Sequence, residues 1–237
     1  MNVQKNICII PARGGSKRIP KKNIKNFLGK PMIAYAIEVA QQSKIFSDIY
    51  VSTDDESIAE IARFYGAKIP FIRNSELSND YAGTVPVISD AILKIEMIEM
   101  TILGDVFCLY PCVPILKSQY LIDVYKEHNK NRLLDFYTFP VAKFNSAPQR
   151  AFKLGFNNRI LQLNPEYERV RTQDLEEIYH DTGQFYCGSR DLWVSGKNIH
   201  SFGIGYVIPS YQVVDIDTED DWLRAEIYSK MLKQNNK

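Results

Sequence analysis

Ile7-Cys8-Ile9-Ile10-Pro11-Ala12-Arg13-Gly14-Gly15-Ser16-Lys17-Arg18-Ile19-Pro20-Lys21-Lys22-Asn23 is the stretch on which the reading of the fold turns. Its first four residues are an unbroken apolar run, the pattern of a central strand in a parallel sheet that is covered on both faces. A loop follows in which Arg13, Lys17, Arg18, Lys21, Lys22 and Lys25 fall within thirteen positions. Of the 29 basic residues, eight lie in residues 1–37, where there is no Asp or Glu; that leaves 21 against all 28 acids in the rest of the chain. A charge run alone is usually a solvated surface. This one leaves a strand at its carboxyl end, where open α/β sheets bind their ligands.

The chain continues in alternating strand and helix patterns. A helix is expected from Lys30-Pro31, with Ile33, Ala36, Ile37 and Ala40 on one face. Asp48–Ser52 reads as a second strand, and Thr53-Asp54-Asp55-Glu56 as a capping box that opens a helix ending at Gly66. Ile69–Ile72 reads as a short third strand. A helix over Val85–Met97, a strand over Val106–Tyr110, a helix capped by Ser118 and a strand over Phe136–Val141 complete the repeat. Such alternation predicts an α/β fold with a doubly wound and mostly parallel sheet. From about residue 143 to 200 the pattern changes, with a hairpin expected around Asn157-Asn158 and a strand over Gln184–Cys187. We read a single domain over 1–237 with an insertion at about 143–200. Ile204–Val207 is a late strand, and Thr218 is the expected cap of a final helix.

Composition narrows the class. With 45% hydrophobic and 24% charged residues in 237, the chain can bury a core, and a disordered or fibrous protein is excluded. No apolar run approaches the ~20 residues a membrane helix needs. The apolar run before Pro11 is too short for a signal-peptide core, so a cytoplasmic location without membrane contact is expected. Cys8, Cys108, Cys112 and Cys187 contain no C-x-x-C pair. Buried free thiols in a reducing compartment are expected rather than a zinc site.

Three constellations carry chemistry. The first is residues 11–23. Gly14 and Gly15 let backbone amides approach an anion, arginine offers a planar fork for phosphate, and lysine offers a mobile charge. The loop matches neither the P-loop nor the dinucleotide fingerprint. It reads as a polyphosphate site, with a solvated loop as the alternative. The second is Asp215-Ile216-Asp217, read as a strand in which residues two apart share a face. The pair suits magnesium, which takes one or two carboxylates plus phosphate oxygens; capping and helix-dipole roles are the alternative. The third is Arg169-Val170-Arg171-Thr172-Gln173-Asp174 with His180-Asp181-Thr182-Gly183-Gln184. Its arginines are either solvated, or hold an acidic substrate, or neutralise charge on a transferring phosphoryl group. No Ser-His-Asp or Cys-His arrangement stands out. Metal-assisted phosphoryl or nucleotidyl transfer is the chemistry these parts support.

The run I-I-P-A-R-G-G-S-K-R-I-P-x-K-N, the V-S-T-D after the second strand and the late D-I-D together resemble the acylneuraminate cytidylyltransferases, the CMP-sialic acid synthetases. R-x-Q-D-L-E-E-I-Y-H-D-T-G-Q-F-Y looks like the branch that activates pseudaminic acid. The resemblance covers nearly the whole chain in order. It implies transfer of CMP from CTP to the anomeric hydroxyl of a nine-carbon 2-keto sugar acid, with Mg2+ as cofactor and pyrophosphate as the second product. It also implies a Rossmann-like α/β domain and a homodimer built partly from the inserted segment; no nucleic-acid partner is expected. Carried onto this chain, the nucleotide-binding positions are Ala12, Arg13, Gly14, Gly15, Ser16, Lys22, Asn23, Arg73, Ala82 and Thr84. The metal ligands are Asp215 and Asp217. Arg13, Lys22 and Arg171 are the expected catalytic groups, and Tyr110, Arg169, Arg171, Gln173, Asp181 and Gln184 the sugar-binding ones. Sialic acid enzymes carry Q-P-T-S-P or Q-A-T-S-P where this chain has Tyr110-Pro111-Cys112-Val113-Pro114, and Asn-Gly where it has Thr182-Gly183. The pseudaminic branch usually has Trp where Cys187 stands. Legionaminic acid, N-acetylneuraminic acid and 3-deoxy-manno-octulosonic acid are the alternative sugars. A non-enzymatic anion- or RNA-binding module is the alternative of another class, disfavoured by having only Phe27 near the loop for base stacking.

Overall fold

β1 (Lys5–Pro11) enters the sheet with Ile7, Cys8, Ile9 and Ile10 all fully buried, so neither face of this strand meets water. The computed structural model describes residues 5–234; the first four residues of the amino-terminal stretch read above lie outside it. The short strands β2 (Asn26–Phe27) and β3 (Lys30–Pro31) pair with each other before α1 (Met32–Ser43). Pro31 sits one place before the helix rather than as its first residue. The expected face of α1 is buried, with Ile33, Ala36, Ile37 and Ala40 at 1% exposure or less.

β4 (Asp48–Ser52) runs parallel to β1, in a register that sets Pro11 against Ser52. The carboxyl ends of the two strands therefore finish side by side. α2 (Glu56–Phe64) follows, but its cap is Asp55, not Thr53: the Asp55 Oδ1 accepts from the amides of Ser57 and Ile58. Thr53 lies too far back, and its hydroxyl accepts from the Asp55 amide instead. The strand expected over 69–72 does not form. Lys68 makes a single bridge to Tyr50, and the missing N–H of Pro70 stops the ladder.

α3 (Thr84–Glu99) leads to β5 (Leu103–Leu109), parallel to β1 and buried along its length. In α4 (Ser118–Lys130) the residue before the helix is Lys117, and Ser118 is already helical, with no side-chain cap. β6 (Tyr137–Lys143) then returns to the sheet. Residues 144–178 lie outside the main sheet and contain the hairpin of β7 (Phe152–Leu154) and β8 (Ile160–Gln162), turned through left-handed Asn157 and Asn158. The stretch outside the sheet is thus narrower than 143–200. β9 (Tyr179–Asp181) pairs antiparallel with β6, and β10 (Phe185–Ser189) sits between β5 and β6, antiparallel to both. Because β10 arrives from the insertion rather than through a crossover helix, it needs no parallel register. α5 (Arg190–Val194), β11 (Gly203–Val207) and α6 (Glu219–Gln234) complete the chain. The seven-stranded sheet runs β11-β6-β10-β5-β1-β4, with β9 beside β6.

One face of the sheet is covered by α1, α2 and α4 and the other by α3 and α5. A third cluster joins Ile19 and Phe27 of the basic loop region to Val214, Ile216 and Trp222. Trp222 belongs to α6, whose cap is reciprocal: Thr218 Oγ1 accepts from the Asp221 amide while Asp221 accepts from Thr218. Among the described residues no helix is long and apolar enough to cross a membrane. Cys8, Cys108 and Cys187 are buried free thiols.

Asp105 of β5 is 1% exposed, lies 3.5 Å from His128 Nε2 and accepts from Arg132. Burial alone would raise its carboxyl, but His128 and Arg132 outweigh burial and hold it below the ordinary carboxylate value. A carboxylate depressed on folding stabilises the protein fully above its unfolded value, about 3.9, and that stability is lost as pH falls. Denaturant unfolding between pH 5 and pH 3 should therefore show a steeper loss of stability in the wild type than in Asp105→Asn. Equal slopes would remove Asp105 from the acid response.

Candidate functional site

The carboxyl ends of β1 and β5 open onto a cleft of about 680 Å³ between the basic loop, the start of α3, the turn before β10 and residues 214–217. The loop is anchored rather than solvated: Ile19 and Phe27 are fully buried and Asn23 is 6% exposed. The Asn23 side chain donates to the Arg13 carbonyl at 2.9 Å, and the Asn23 backbone carbonyl accepts from the Ile33 amide at the start of α1. The Ala12 amide extends the β1–β4 pairing by donating to Ser52. The Gly14 amide donates to Asp54 at 2.9 Å, so the acid after β4 fixes the loop's first turn. A Cβ on Gly14 would stand 2.8 Å from Asp55 Oδ2, whereas one on Gly15 would meet nothing within 4 Å.

The cations of the loop face carboxylates. Arg13 and Lys17 reach Asp80 at 2.6 and 2.5 Å, and Arg18 reaches Asp217 at 2.9 Å. Lys22 Nζ donates to the Ile216 carbonyl at 2.6 Å and lies 3.4 Å from Asp217. Arg73 is the most enclosed cation; its Nε donates to Ser78 and its nearest acid, Asp54, is 3.9 Å away. Burial lowers its affinity for the proton, with only partial compensation from Asp54. A buried guanidinium without a close ion pair, lining a cleft, is prepared for an incoming anion.

Residues 213–217 form no strand ladder, contrary to the sequence reading, because no neighbour pairs with them in the sheet. The alternation survives all the same: Val214 and Ile216 are buried, and Asp215 and Asp217 line the cleft. Loss of surrounding water, then the charge of Asp217, push the Asp215 carboxyl above its ordinary value. Among the described residues no group of three or more His, Cys, Asp or Glu is placed to hold a metal. Two carboxylates beside a phosphate-ready loop nevertheless match a hard divalent cation that completes its shell with substrate oxygens.

Of the residues chosen from sequence, Arg13, Ser16, Lys22, Asn23, Arg73, Ala82, Thr84, Tyr110, Gln184, Asp215 and Asp217 line this one cleft. Ala12, Gly14 and Gly15 support the loop beside it. Arg169, Arg171 and Gln173 are exposed and do not line it. They lie on the 144–178 excursion, where Arg171 pairs with Asp174 at 2.6 Å. Asp181 stands behind the cleft wall, accepting from Tyr186 and Gly183. Cleft residues that sequence reasoning passed over include Leu77, Asp80, Val87 and Tyr186. Tyr186 was accessible through strand alternation, since Phe185 and Cys187 face the opposite core. Cys187 is thus a core residue without contact to the cleft. Cys112 does line the cleft, but burial pushes its thiol up to about 12, so it is no nucleophile at neutral pH.

An anion-ready loop and a pair of carboxylates converging in one cleft at the end of this sheet suit nucleotidyl transfer. A family profile described as Cytidylyltransferase matches residues 7–191. The chain belongs to the cytidylyltransferase family. It is 43% identical, over 96% of its length and 97% of the relative's, to a pseudaminic acid cytidylyltransferase of Campylobacter jejuni. It is 28% identical to the CMP-N,N'-diacetyllegionaminic acid synthase of Legionella pneumophila, over 93% of this chain and 94% of the relative. In fold it is similar to a CMP:2-keto-3-deoxy-manno-octonic acid synthetase solved with CTP, at a TM-score of 0.72 and 16% identity, covering 98% and 100% of the two chains.

The glycine geometry makes a sharp contrast. Gly14→Ala forces the loop against the cap of α2 and should lower the melting temperature by about 2–4 °C, for a cost of roughly 1 kcal/mol. Gly15→Ala should leave it unchanged. Equal melting temperatures for both variants in differential scanning calorimetry would contradict this placement of the loop.

Proposed function

We propose that the protein transfers CMP from CTP to the anomeric hydroxyl of pseudaminic acid, releasing pyrophosphate. The observation that carries this reading is the convergence of Arg13, Lys22 and Arg73 with Asp215 and Asp217 in one cleft. The 43% identity to a pseudaminic acid cytidylyltransferase supports the choice of sugar. In the reaction, the anomeric hydroxyl gives up its proton to solvent and its oxygen forms a bond to the α-phosphorus as the bond from that phosphorus to the β-phosphate bridge breaks, the electron pair leaving with pyrophosphate. Arg13 and Lys22 exchange their carboxylate partners for the phosphates and hold the charge that builds on the departing pyrophosphate. Arg73 and Asn23 fix the nucleotide, with Ala82 and Thr84 beside it. Asp215 and Asp217 would hold magnesium, which when bound there would neutralise phosphate charge. Tyr110, Gln184 and the Gly183 turn would face the sugar.

The exposed hairpin adds a second part to the reading. Phe152, Leu154, Phe156, Ile160 and Leu161 are all at least 47% exposed, and a two-stranded hairpin is marginal alone. We propose that it packs on a second copy and carries Arg171 with it.

Pyrophosphate release with CTP and magnesium should occur with pseudaminic acid and fall away with legionaminic, N-acetylneuraminic and 3-deoxy-manno-octulosonic acids. The same preparation should sediment at about twice 27.3 kDa. Release with another of these acids but not pseudaminic acid would overturn the choice of sugar. No release with any of them from folded protein would overturn the transferase reading, and a 27.3 kDa species the dimer.

A further inference from the structure

Asp181 has no position in the cleft, yet its carboxylate gathers three partners from two parts of the chain, the β9–β10 segment and the loop before β11. Oδ1 accepts from the Gly183 amide at 2.8 Å. Oδ2 accepts from the Tyr186 hydroxyl at 2.6 Å and lies 2.8 Å from Nε2 of His200, in the loop before β11. Two of these partners, Gly183 and Tyr186, line the cleft. Gly183 is a left-handed residue with φ +62°, in the turn between β9 and β10; Thr182 before it donates to the Pro140 carbonyl, the Gln184 carbonyl after it accepts from the Tyr110 amide, and Asp181 holds the Gly183 amide between them. Tyr186 is 5% exposed; its ring stands edge-on to Tyr110 and Phe139, at 6.0 and 5.3 Å. Burial first, and then the Asp181 charge, push the Tyr186 hydroxyl well above the ordinary tyrosine value, so it remains a donor.

We infer that Asp181 is a positioning residue for the sugar end of the site, acting through Tyr186 and the Gly183 turn rather than by touching substrate. One carboxylate sets both the direction of a ring in the wall and the path of the backbone beside it. A charged acceptor holds such donors more strongly than a neutral one, and its loss leaves a buried hydroxyl without a partner. Arg13, Lys22, Asp215 and Asp217 stand on other loops, where Arg13 bonds to Asp80 and Lys22 to the Ile216 carbonyl rather than to any member of this tether. This inference rests on the assignment of that end of the cleft to the sugar.

The test compares Asp181→Ala, Tyr186→Phe and the double variant with the wild type, by steady-state kinetics with pseudaminic acid and by urea unfolding. Asp181→Ala should raise the sugar KM about tenfold, the size expected for losing one charge-assisted hydrogen bond, with the CTP KM unchanged. Tyr186→Phe should raise it in the same sense, and the double variant should be no worse than Asp181→Ala alone. Unfolding should show the same coupling, read without any sugar. Independent, multiplying effects on sugar KM, a parallel rise in CTP KM, or additive losses of stability would each overturn the inference. A wild type silent with every sugar tested would instead strike the functional reading and with it the sugar-positioning role, while coupled unfolding would still uphold the tether.

Discussion

The site depends on one apolar cluster between the two ends of the chain, above which Lys22 Nζ donates to the Ile216 carbonyl with Asp217 beside it. It joins the loop after the first strand to the segment before the last helix. The charges themselves do not hold these parts together, because exposed ion pairs contribute about 0–1 kcal/mol each. The apolar cluster beneath does. Ile19, Phe27, Ile216 and Trp222 are at most 5% exposed, and burying such side chains stabilises by roughly 1.5–3 kcal/mol apiece. The cluster places the loop against residues 214–217; the polar groups left facing the cleft are then free for chemistry.

That division explains why the basic loop can be both well placed and reactive. Arg13, Lys17, Arg18 and Lys22 are each matched to an acid, Asp80 or Asp217, through contacts at or near the surface. A polyanion carrying a metal ion can take over those cations and offer its own counter-charge to Asp217, at little cost to the fold. Arg73 is different. It is buried with no acid nearer than 3.9 Å, and its attraction for an anion is less screened. The cleft therefore pairs one fixed positive point with several exchangeable ones, the arrangement a nucleotidyltransferase needs to bind a triphosphate and release pyrophosphate.

Much of the architecture was legible in the sequence because buried strands write their position as apolar runs: β1, β4, β5, β6 and β11 all fall within a few residues of where the runs place them. The failures have local causes. Pro70 denied the 69–72 segment its ladder, and Asp55 competed successfully with Thr53 for the helix cap. β10 lies at the centre of the sheet although it is reached through the insertion, a tertiary fact that no local pattern carries. The site divided in the same way. Residues in contiguous motifs, such as Arg13, Lys22 and Asp217, converge as expected. Arg169, Arg171 and Gln173 have motif spacing but sit on a surface excursion. Asp181 does not line the cleft but accepts from Gly183 and Tyr186, which do, because an acid in a polar run does not reveal which donors will fold around it.

On the proposed function, the basic loop and the Asp215–Asp217 pair form one site for CTP and a divalent cation. The most direct test is CTP binding by titration calorimetry, with and without magnesium, in the wild type and in Asp217→Asn. Magnesium should strengthen CTP binding to the wild type and bring little or no gain in the variant, while Lys22 still supports binding in both. An equal gain from magnesium in the two proteins would contradict the claim and separate the carboxylate pair from the nucleotide site.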